Sequence, residues 1–278
     1  MTDEPNAVQR EYWNTRRAWV DHQDQMDRQL DGFGRAAIAA LGALEGRRVL
    51  DVGCGCGHTT LQLAEAGAGS ILGLDISEPM VAVADRRIAD VGLAQAAVEV
   101  ADVQTAALPG PFDLIYSRFG VMFFADPVAA FANLHGASTD TARMAFVCWQ
   151  PVSENPWMTV PNRAAMTVVD FPPRGENAAD PFAFGDPEFV ERTLTAAGWS
   201  NVHIAEERRS VALGGGEGLD QAVELMIELG PSKAALEGRD RATHQAVHDA
   251  IREALEPHVD ADGAVTLPGA TWVVTATA

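Results

Sequence analysis

The chain has 278 residues, 47% of them hydrophobic, so it is long enough to bury a substantial core as one large domain or as one domain with an inserted piece. Its 20 basic and 39 acidic residues give a net charge of −19, which repels phosphate backbones and anionic lipid, so we expect neither nucleic acid nor a membrane as a partner. The sequence shows no signal-like or membrane-spanning apolar run, and its three scattered cysteines do not suggest a disulfide framework, so we expect a cytoplasmic protein.

The first thirty residues predict helices that cover another part of the molecule. Between Val8 and Leu30, large apolar residues recur at roughly helical spacing among polar ones. We assign residues 1–31 to a helical cover and residues 32–150 to the core that follows it.

Short apolar runs alternate with helical stretches after Gly46. Each run is apolar on both faces, which is typical of strands buried in a parallel sheet. The stretches between them carry apolar residues three and four apart and end in glycine. This alternation predicts an α/β fold with a doubly wound sheet. The five runs are RRVLDVG, SILGLDI, AAVEVAD, FDLIYSR and RMAFVCW.

The regular pattern ends at Pro151. Residues 151–185 are rich in proline around one amphipathic helix and predict a lid insertion. Residues 186–213 return to the core with a helix capped by Asp186 and a strand. A glycine-rich hinge opens a helical insertion over 214–265, and residues 266–278 give a final strand, the seventh of the sheet.

The loop after the first predicted strand contains three glycines at the spacing G-x-G-x-G, with His58 directly after them. Backbone amides in this loop and at the next helix start face a ligand at the carboxyl end of the sheet. The dinucleotide fingerprint needs G-x-G-x-x-G, so this spacing disfavours a dehydrogenase. Cys54 and Cys56 lack further soft ligands and C-x-x-C spacing, so we interpret them as loop residues and predict no metal site.

Carboxylates follow the next two predicted strands. Asp75 stands 24 residues after Asp51, where a carboxylate accepts hydrogen bonds from both hydroxyls of a ribose. Asp102 ends the third strand, where it can accept from the exocyclic amine of adenine. No phosphate-binding cation stands in these motifs, so they predict a pocket for a nucleoside.

Four motifs in order, VLDVGCGCG, LGLDIS, VADVQ and FDLIYSRFGVMFF, resemble those of class I S-adenosylmethionine-dependent methyltransferases. The later segments SRFGVMFFADPVAAFANL and FVCWQPVSENPWM resemble a branch of bacterial small-molecule methyltransferases. The resemblance spans about Arg47 to Trp149. It implies a Rossmann-like, seven-stranded sheet with an antiparallel last strand and helical cap insertions.

The resemblance also implies S-adenosyl-L-methionine as the cofactor and assigns residues to its parts. The methionine part would be surrounded by the glycine loop and the acid before it, the ribose and adenine would be held after the second and third strands, and one serine would line the pocket near the sulfonium. These residues are Asp51, Gly53, Cys54, Gly55 and Gly57 for the methionine part, Asp75 and Ile76 for the ribose, Asp102 and Val103 for the adenine, and Ser117.

Catalysis of methyl transfer depends mainly on alignment and exclusion of water, and a general base is needed only where the acceptor must lose a proton. Four residues are candidates for that base, Tyr12, His58, Tyr116 and Glu154, of which we favour Tyr12 and His58. His58 also fits a structural role at the start of its helix.

We expect the substrate to be a small, partly apolar or aromatic metabolite of specialised metabolism. Its predicted pocket consists of Trp13, Phe119, Met122, Phe123 and Trp157, for which plain core packing is the alternative. The sequence does not identify the atom that accepts the methyl group. Long helical insertions are able to mediate contacts between copies of the chain in a homo-oligomer.

Other functions remain open on the sequence. A nicotinamide-dependent oxidoreductase would also use the glycines and the ribose carboxylate. A non-catalytic binding protein would keep the fold and the cofactor, and a related enzyme would use the charge of the sulfonium for chemistry other than methylation.

Overall fold

A computed structural model describes residues 6–173 and 179–278 and has a seven-stranded sheet at its centre. In space the strands follow the order β3-β2-β1-β4-β5-β7-β6, with β1 to β5 parallel and β7 antiparallel to both of its neighbours. The predicted doubly wound sheet with an antiparallel last strand is therefore confirmed. The strands are β1 (Arg48–Val52), β2 (Ser70–Asp75), β3 (Ala96–Val100), β4 (Phe112–Arg118), β5 (Ser138–Trp149), β6 (Ser200–Ala212) and β7 (Thr266–Thr277).

Helices follow the strands and also form the cover and the cap. Asp126, Asp186 and Asp240 each accept a backbone hydrogen bond in the first turn of the helix they precede, as N-caps do. The helices are α1 (Ala7–Thr15), α2 (Ala18–Asp21), α3 (Gln23–Leu41), α4 (His58–Glu65), α5 (Glu78–Val91), α6 (Pro127–Gly136), α7 (Pro156–Ala165), α8 (Pro187–Ala196), α9 (Leu219–Leu229), α10 (Ser232–Leu236) and α11 (Arg241–Leu255).

Burial follows position in the sheet. The central strand β4 is covered on both faces, and its tyrosine, Tyr116, is fully buried. Strand β3 differs from the expectation that all five runs are buried, because it lies at an edge of the sheet and pairs only with β2. Its last residue, Val100, is 44% exposed. An edge strand has a neighbouring strand on one side only. Apolar composition alone does not reveal which strand lies at the edge.

The predicted boundary between residues 31 and 32 falls inside α3. The helix continues because its apolar residues keep one face through the boundary, from Met26 and Leu30 to Phe33, Ala37 and Leu41. That face packs against β4, β5, β6 and β7, so α3 belongs to the cover and to the core at once.

The two predicted insertions come together as a helical cap. The 151–185 segment contributes α7, and the 214–265 segment contributes α9, α10 and α11. Helix α11 packs against both α7 and α9, while α7 also contacts β7. Residues 1–5 of the cover and 174–178 of the lid lie outside the described residues. In the described ranges, no helix combines the length and the apolar character needed to cross a membrane.

Candidate functional site

The carboxyl ends of β1, β2 and β4 open into a cavity of about 260 Å³, at the point where the strand order reverses direction. Loops after the first four strands form its base. Helices α1 and α3 form one wall, and the cap helices α7 and α9 contribute Trp157, Met158, Asn162, Met226 and Leu229. The N-terminal cover and both insertions therefore converge on one site.

Glycine is required in the loop after β1 by backbone conformation and by close packing. Gly53, Gly55 and Gly57 all have positive φ, of 69°, 53° and 83°. A Cβ on Gly53 would lie 2.8 Å from the Cα of Gly120, and one on Gly57 would lie 2.8 Å from the Cβ of Ala84. Gly53, Gly55 and Cys54 line the cavity, whereas Gly57 packs on α5 and is not among the lining residues.

Asp51 lies beneath this loop and is not among the residues that line the cavity. Its Oδ2 accepts hydrogen bonds from the hydroxyls of Thr59 at 2.6 Å and Thr60 at 2.8 Å. Burial raises the pKa of Asp51 to about 6, although both threonines act in the opposite direction. The structure therefore gives Asp51 a role in tying the loop to the start of α4, and its predicted cofactor contact stays a prediction.

Asp75 lines the cavity and shapes the loop at the same time. Its Oδ2 accepts from the backbone N–H of Gly55, and its Oδ1 from that of Ser77, each at 2.8 Å. Burial raises its pKa. A carboxylate has about four acceptor sites, so these bonds leave Asp75 with acceptor capacity of the kind that a ribose requires. Ile76 lines the cavity beside it.

Asp102 also lines the cavity, but protein donors already use its carboxylate. The side-chain amide of Asn6 donates to both oxygens at 2.9 Å, the N–H of Gln104 donates to Oδ1, and the hydroxyl of Thr105 donates to Oδ2. A carboxylate has about four acceptor sites, so an adenine amine would have to share or displace one of these bonds. Val103 lines the cavity next to it.

Arg118 and Asp27 face the cavity and were missed in the sequence. The Nη2 of Arg118 lies 3.4 Å from Oδ1 of Asp27, and Oδ2 of the same carboxylate accepts from Nη1 of Arg87 at 2.9 Å. The side chains of Arg118 and Asp27 are only 13% and 11% exposed. The Nη1 of Arg118 is buried and has no partner among the described residues. The available signal was an arginine at the carboxyl end of a buried strand.

His58 is placed outside the cavity, contrary to a substrate-facing role. Its ring nitrogens lie 3.2 Å from Asp31 and 3.5 Å from Asp27, in a surface depression that Asp24, Arg28 and Arg87 also line. Burial lowers the pKa of His58. It is the first residue of α4. Its side chain points toward α3 because the carboxylates of Asp27 and Asp31 lie on that helix.

Of the other candidate bases, Tyr12 alone lines the cavity, with the Arg16 guanidinium 4.6 Å from its ring centroid. The hydroxyl of Tyr116 is buried and donates to the carbonyl of Gly34. Glu154 pairs with Arg208 in an exposed ion pair. Ser117 is not a lining residue either, since its hydroxyl donates to the carbonyl of Val52 at 2.7 Å and accepts from Gly120.

The five predicted substrate residues all line the cavity, in two aromatic groups. Trp13 packs edge-on against Phe123 at 4.9 Å in the first group, and Met122 is buried nearby in the chain. In the second, Phe119 stacks on Trp149 at 4.3 Å, and Trp157 lies 4.8 Å from the same indole. Phe119 has a φ of 60°, an unusual conformation for a residue with a side chain, so this turn holds its ring against local strain.

The two loop cysteines are protonated thiols at neutral pH. Burial raises the pKa of Cys54 well above its usual range and that of Cys56 to about 12. Nucleophilic and metal-binding cysteines are thiolates, so this environment supports the interpretation of both as loop residues.

Strand order, glycine loop and cavity together define the class I methyltransferase fold. Residues 49–139 match the family described as a methyltransferase domain. This match confirms the resemblance to class I S-adenosylmethionine-dependent methyltransferases seen in the motifs.

Two curated relatives and one solved structure illustrate the similarity. Aklanonic acid methyltransferase DauC from Streptomyces sp. (strain C5) is 32% identical over 117 residues, which cover 41% of this chain and 53% of that protein. Nocamycin O-methyltransferase from Saccharothrix syringae is 30% identical over 171 residues, covering 57% and 61%. The matches thus span less than two thirds of either relative. The YcgJ protein from Bacillus subtilis shares the fold, with a TM-score of 0.57, 15% identity and coverage of 89% and 98%.

Proposed function

We propose that the chain binds S-adenosyl-L-methionine in this cavity and transfers its methyl group to a small, partly apolar or aromatic metabolite. The observation that carries the proposal is a single cavity lined by a ribose-type carboxylate, Asp75, by Arg118 with one buried guanidinium nitrogen that has no partner, and by aromatic rings. The names of the two relatives, which refer to aklanonic acid and nocamycin, support a small-molecule acceptor.

The residues present fit this cofactor by charge and by shape. The unpaired Nη1 of Arg118 suits the methionine carboxylate, and Asp27 beside it suits the ammonium. Asp75 suits the ribose hydroxyls, and the apolar lining at Ile76 and Val103 suits a purine ring. When bound, S-adenosylmethionine supplies a methyl group already activated by a positively charged sulfur.

The chain would therefore contribute mainly position and exclusion of water. Phe119 and Trp149 provide a fixed, flat surface beside the glycine loop. Tyr12 is the residue we propose as proton acceptor where the acceptor atom carries a proton, because it is the one candidate base that lines the cavity, and Arg16 holds its ring from one side.

Titration with S-adenosylhomocysteine by calorimetry tests the cofactor half of this proposal. We expect binding in the micromolar range, and Asp75→Ala should weaken it by about 1 to 3 kcal/mol because charge-assisted hydrogen bonds to the ribose are lost. Asp85→Ala, on the exposed side of α5, is the matched control and should bind as the wild type does. Failure of the wild type to bind would overturn the proposal.

The catalytic half is tested by the product. Incubation with S-adenosylmethionine and candidate acceptors should release S-adenosylhomocysteine in step with acceptor consumption. Acceptor conversion without that release would favour the use of the sulfonium for its charge alone, and an NADH-dependent change would favour the oxidoreductase. Specialised metabolism, a cytoplasmic location and a homo-oligomer stay predictions.

A further inference from the structure

One amide in the cavity wall has no hydrogen-bond partner. Gln29 on α3 lines the cavity, and the residue is 5% exposed. Neither its Oε1 nor its Nε2 has a partner within the described ranges, so the finding does not depend on which way the amide is turned. Burying an amide unpaired is unfavourable by comparison with an apolar side chain of the same shape. A residue that lines the cavity and has both polar positions of its amide unpaired is a candidate for contact with a ligand.

Gln29 lies on the side of α3 that faces away from the cofactor loop. Two residues of helix turn by about 200°, so Gln29 and Asp27 stand on opposite flanks of the cavity-facing stripe formed by Met26 and Leu30. Asp27 contacts Arg118 on the loop flank. On the other flank, the amide of Gln25, one turn before Gln29, bonds Glu217 from the second insertion.

The neighbours of Gln29 on its own face are aromatic. Phe33 follows one turn later on α3, and residues four apart share a helix face. The ring of Phe33 lies 5.3 Å from Trp149 and 6.0 Å from Phe119, the stacked pair in the cavity wall. The helix face of Gln29 therefore continues through Phe33 to the stacked aromatic rings of the cavity wall.

We propose that Gln29 binds the methyl acceptor, and that the acceptor is a flat ring system with a hydrogen-bond donor and an acceptor side by side on one edge, as in a lactam or an enolised dicarbonyl. An amide offers N–H and C=O in one plane, so such an edge pairs with both positions at once. This inference rests on the proposed function and specifies the substrate class of the same site.

Two isosteric probes test the pairing, 2-quinolone, which has an N–H beside its carbonyl, and coumarin, which has a ring oxygen in place of the N–H. With S-adenosylhomocysteine saturating, binding is followed by quenching of tryptophan fluorescence. We expect the wild type to prefer 2-quinolone by roughly tenfold and Gln29→Met to lose that preference, as removal of one paired hydrogen bond implies. Gln25→Met is the matched control on the same helix and should keep it. No binding of 2-quinolone, or an unchanged preference in Gln29→Met, overturns the inference.

The melting temperature of the ligand-free protein gives a second, independent readout. If Gln29 serves a ligand, Gln29→Met removes an unpaired buried amide and should melt at or above the wild-type temperature, by up to about 2 to 4 °C. A clear decrease would show that the amide holds the fold and would overturn the inference. Should S-adenosylhomocysteine fail to bind the wild type, the proposed function itself fails. If S-adenosylhomocysteine binds the wild type and all variants, but Gln29→Met keeps the preference for 2-quinolone, only this inference is refuted.

Discussion

Arg118 is the residue on which the proposed binding of the amino-acid carboxylate depends. Its guanidinium is held by Asp27, yet Nη1 stays buried and unpartnered in the described structure. Asp27 keeps Arg87 as a second partner, so loss of Arg118 does not leave this carboxylate unpaired. In the proposed complex, Arg87 supports the carboxylate of Asp27, and Arg118 contacts the ligand.

Arg118→Gln should weaken S-adenosylhomocysteine selectively, because the amino-acid carboxylate loses its cation. We expect a loss of about 1.5 to 3 kcal/mol, the range for hydrogen bonds to charged groups. Methylthioadenosine lacks the amino-acid part and should bind the variant and the wild type alike. Calorimetry with both ligands checks this, with Arg163→Gln on the exposed side of α7 as control. Equal weakening of both ligands would contradict the assignment.

Asp51 predicts a specific pH dependence of stability. Its pKa in the folded protein is about 6, above the ordinary aspartate value of 3.8, so the folded state holds its proton more tightly than the unfolded state does. Protonation of Asp51 therefore stabilises the folded state. This stabilisation is fully present below about pH 4 and is lost as pH rises through 6. It amounts to about 3 kcal/mol, at 1.36 kcal/mol per unit of pKa.

Asp51→Asn should remove this contribution, since an amide still accepts from Thr59 and Thr60 and does not ionise. Between about pH 4 and pH 7 the free energy of unfolding of the wild type should therefore fall relative to that of the variant. Urea denaturation of the ligand-free proteins across that range measures the difference. Parallel pH profiles for the two proteins would show that Asp51 is already ionised in the folded state.

Some site residues are readable from local sequence, and others are not. The glycines and Asp75 were predictable because their roles depend on one loop and one strand end. Arg118 depends on Asp27, and Asp102 on Asn6, which stand 91 and 96 residues away in the chain. The direction of His58 likewise depends on α3. Such partners become visible only when the tertiary structure brings the elements together.

Asn6, the residue before helix α1, attaches the start of that helix to the core. Asn6 is buried, donates to both oxygens of Asp102, and accepts from the backbone N–H of Ala125 at 2.9 Å. This one side chain therefore joins the N-terminal cover to the loops after β3 and β4. The cover closes the cavity because of that attachment, since Tyr12 and Trp13 follow on the same helix.

Asn6→Ala should loosen α1 and expose Arg10, the arginine within this helix, to protease. Loss of these bonds should lower the local opening free energy by about 1 to 2 kcal/mol, so tryptic cleavage within α1 should become about tenfold faster. Asn14→Ala, on the same helix but half-buried and accepting one bond from the N–H of Glu78, is the control and should change cleavage much less. Equal rates for the two variants would show that Asn6 does not anchor the helix.

Predictions of elements succeeded where periodicity was strong and failed at boundaries. Five of the seven strands were predicted from short apolar runs, and β6 and β7 were predicted as strands later in the chain. Helix α3 crosses the predicted boundary because one amphipathic face serves both cover and core. The exposure of β3 depends on its place at the edge of the sheet, which is set by the pairing order and not by its own residues.

The whole molecule carries a net charge of −19, which opposes its own compaction. At pH 7, raising the salt concentration from about 20 to about 200 mM shortens the screening distance and should increase the melting temperature. A rise of about 2 to 4 °C would correspond to about 1 kcal/mol. Near pH 4.6, the isoelectric point, the same change in salt should have little effect. Thermal melts at both pH values measure it, and an equal salt effect at both would exclude self-repulsion as its cause.

The predicted architecture rested on the resemblance as well as on the pattern of elements. Alternating strands and helices indicate a doubly wound sheet, but the antiparallel last strand followed from the family motifs. The meeting of α7, α9 and α11 as one cap was not predictable, because the two insertions are separated in the chain by α8 and β6.

The position of β7 between β5 and β6 also constrains how the protein is made. Residues 266–277 leave the ribosome after both strands that they separate. At about 5 to 20 residues per second, β6 waits roughly 3 to 11 s for its only neighbour to be synthesised. During that interval β5 and β6 each present an unpaired edge, which is a template for association with other chains. Synthesis of β7 therefore covers both unpaired edges at once, because this strand pairs with β5 and with β6 in the finished sheet.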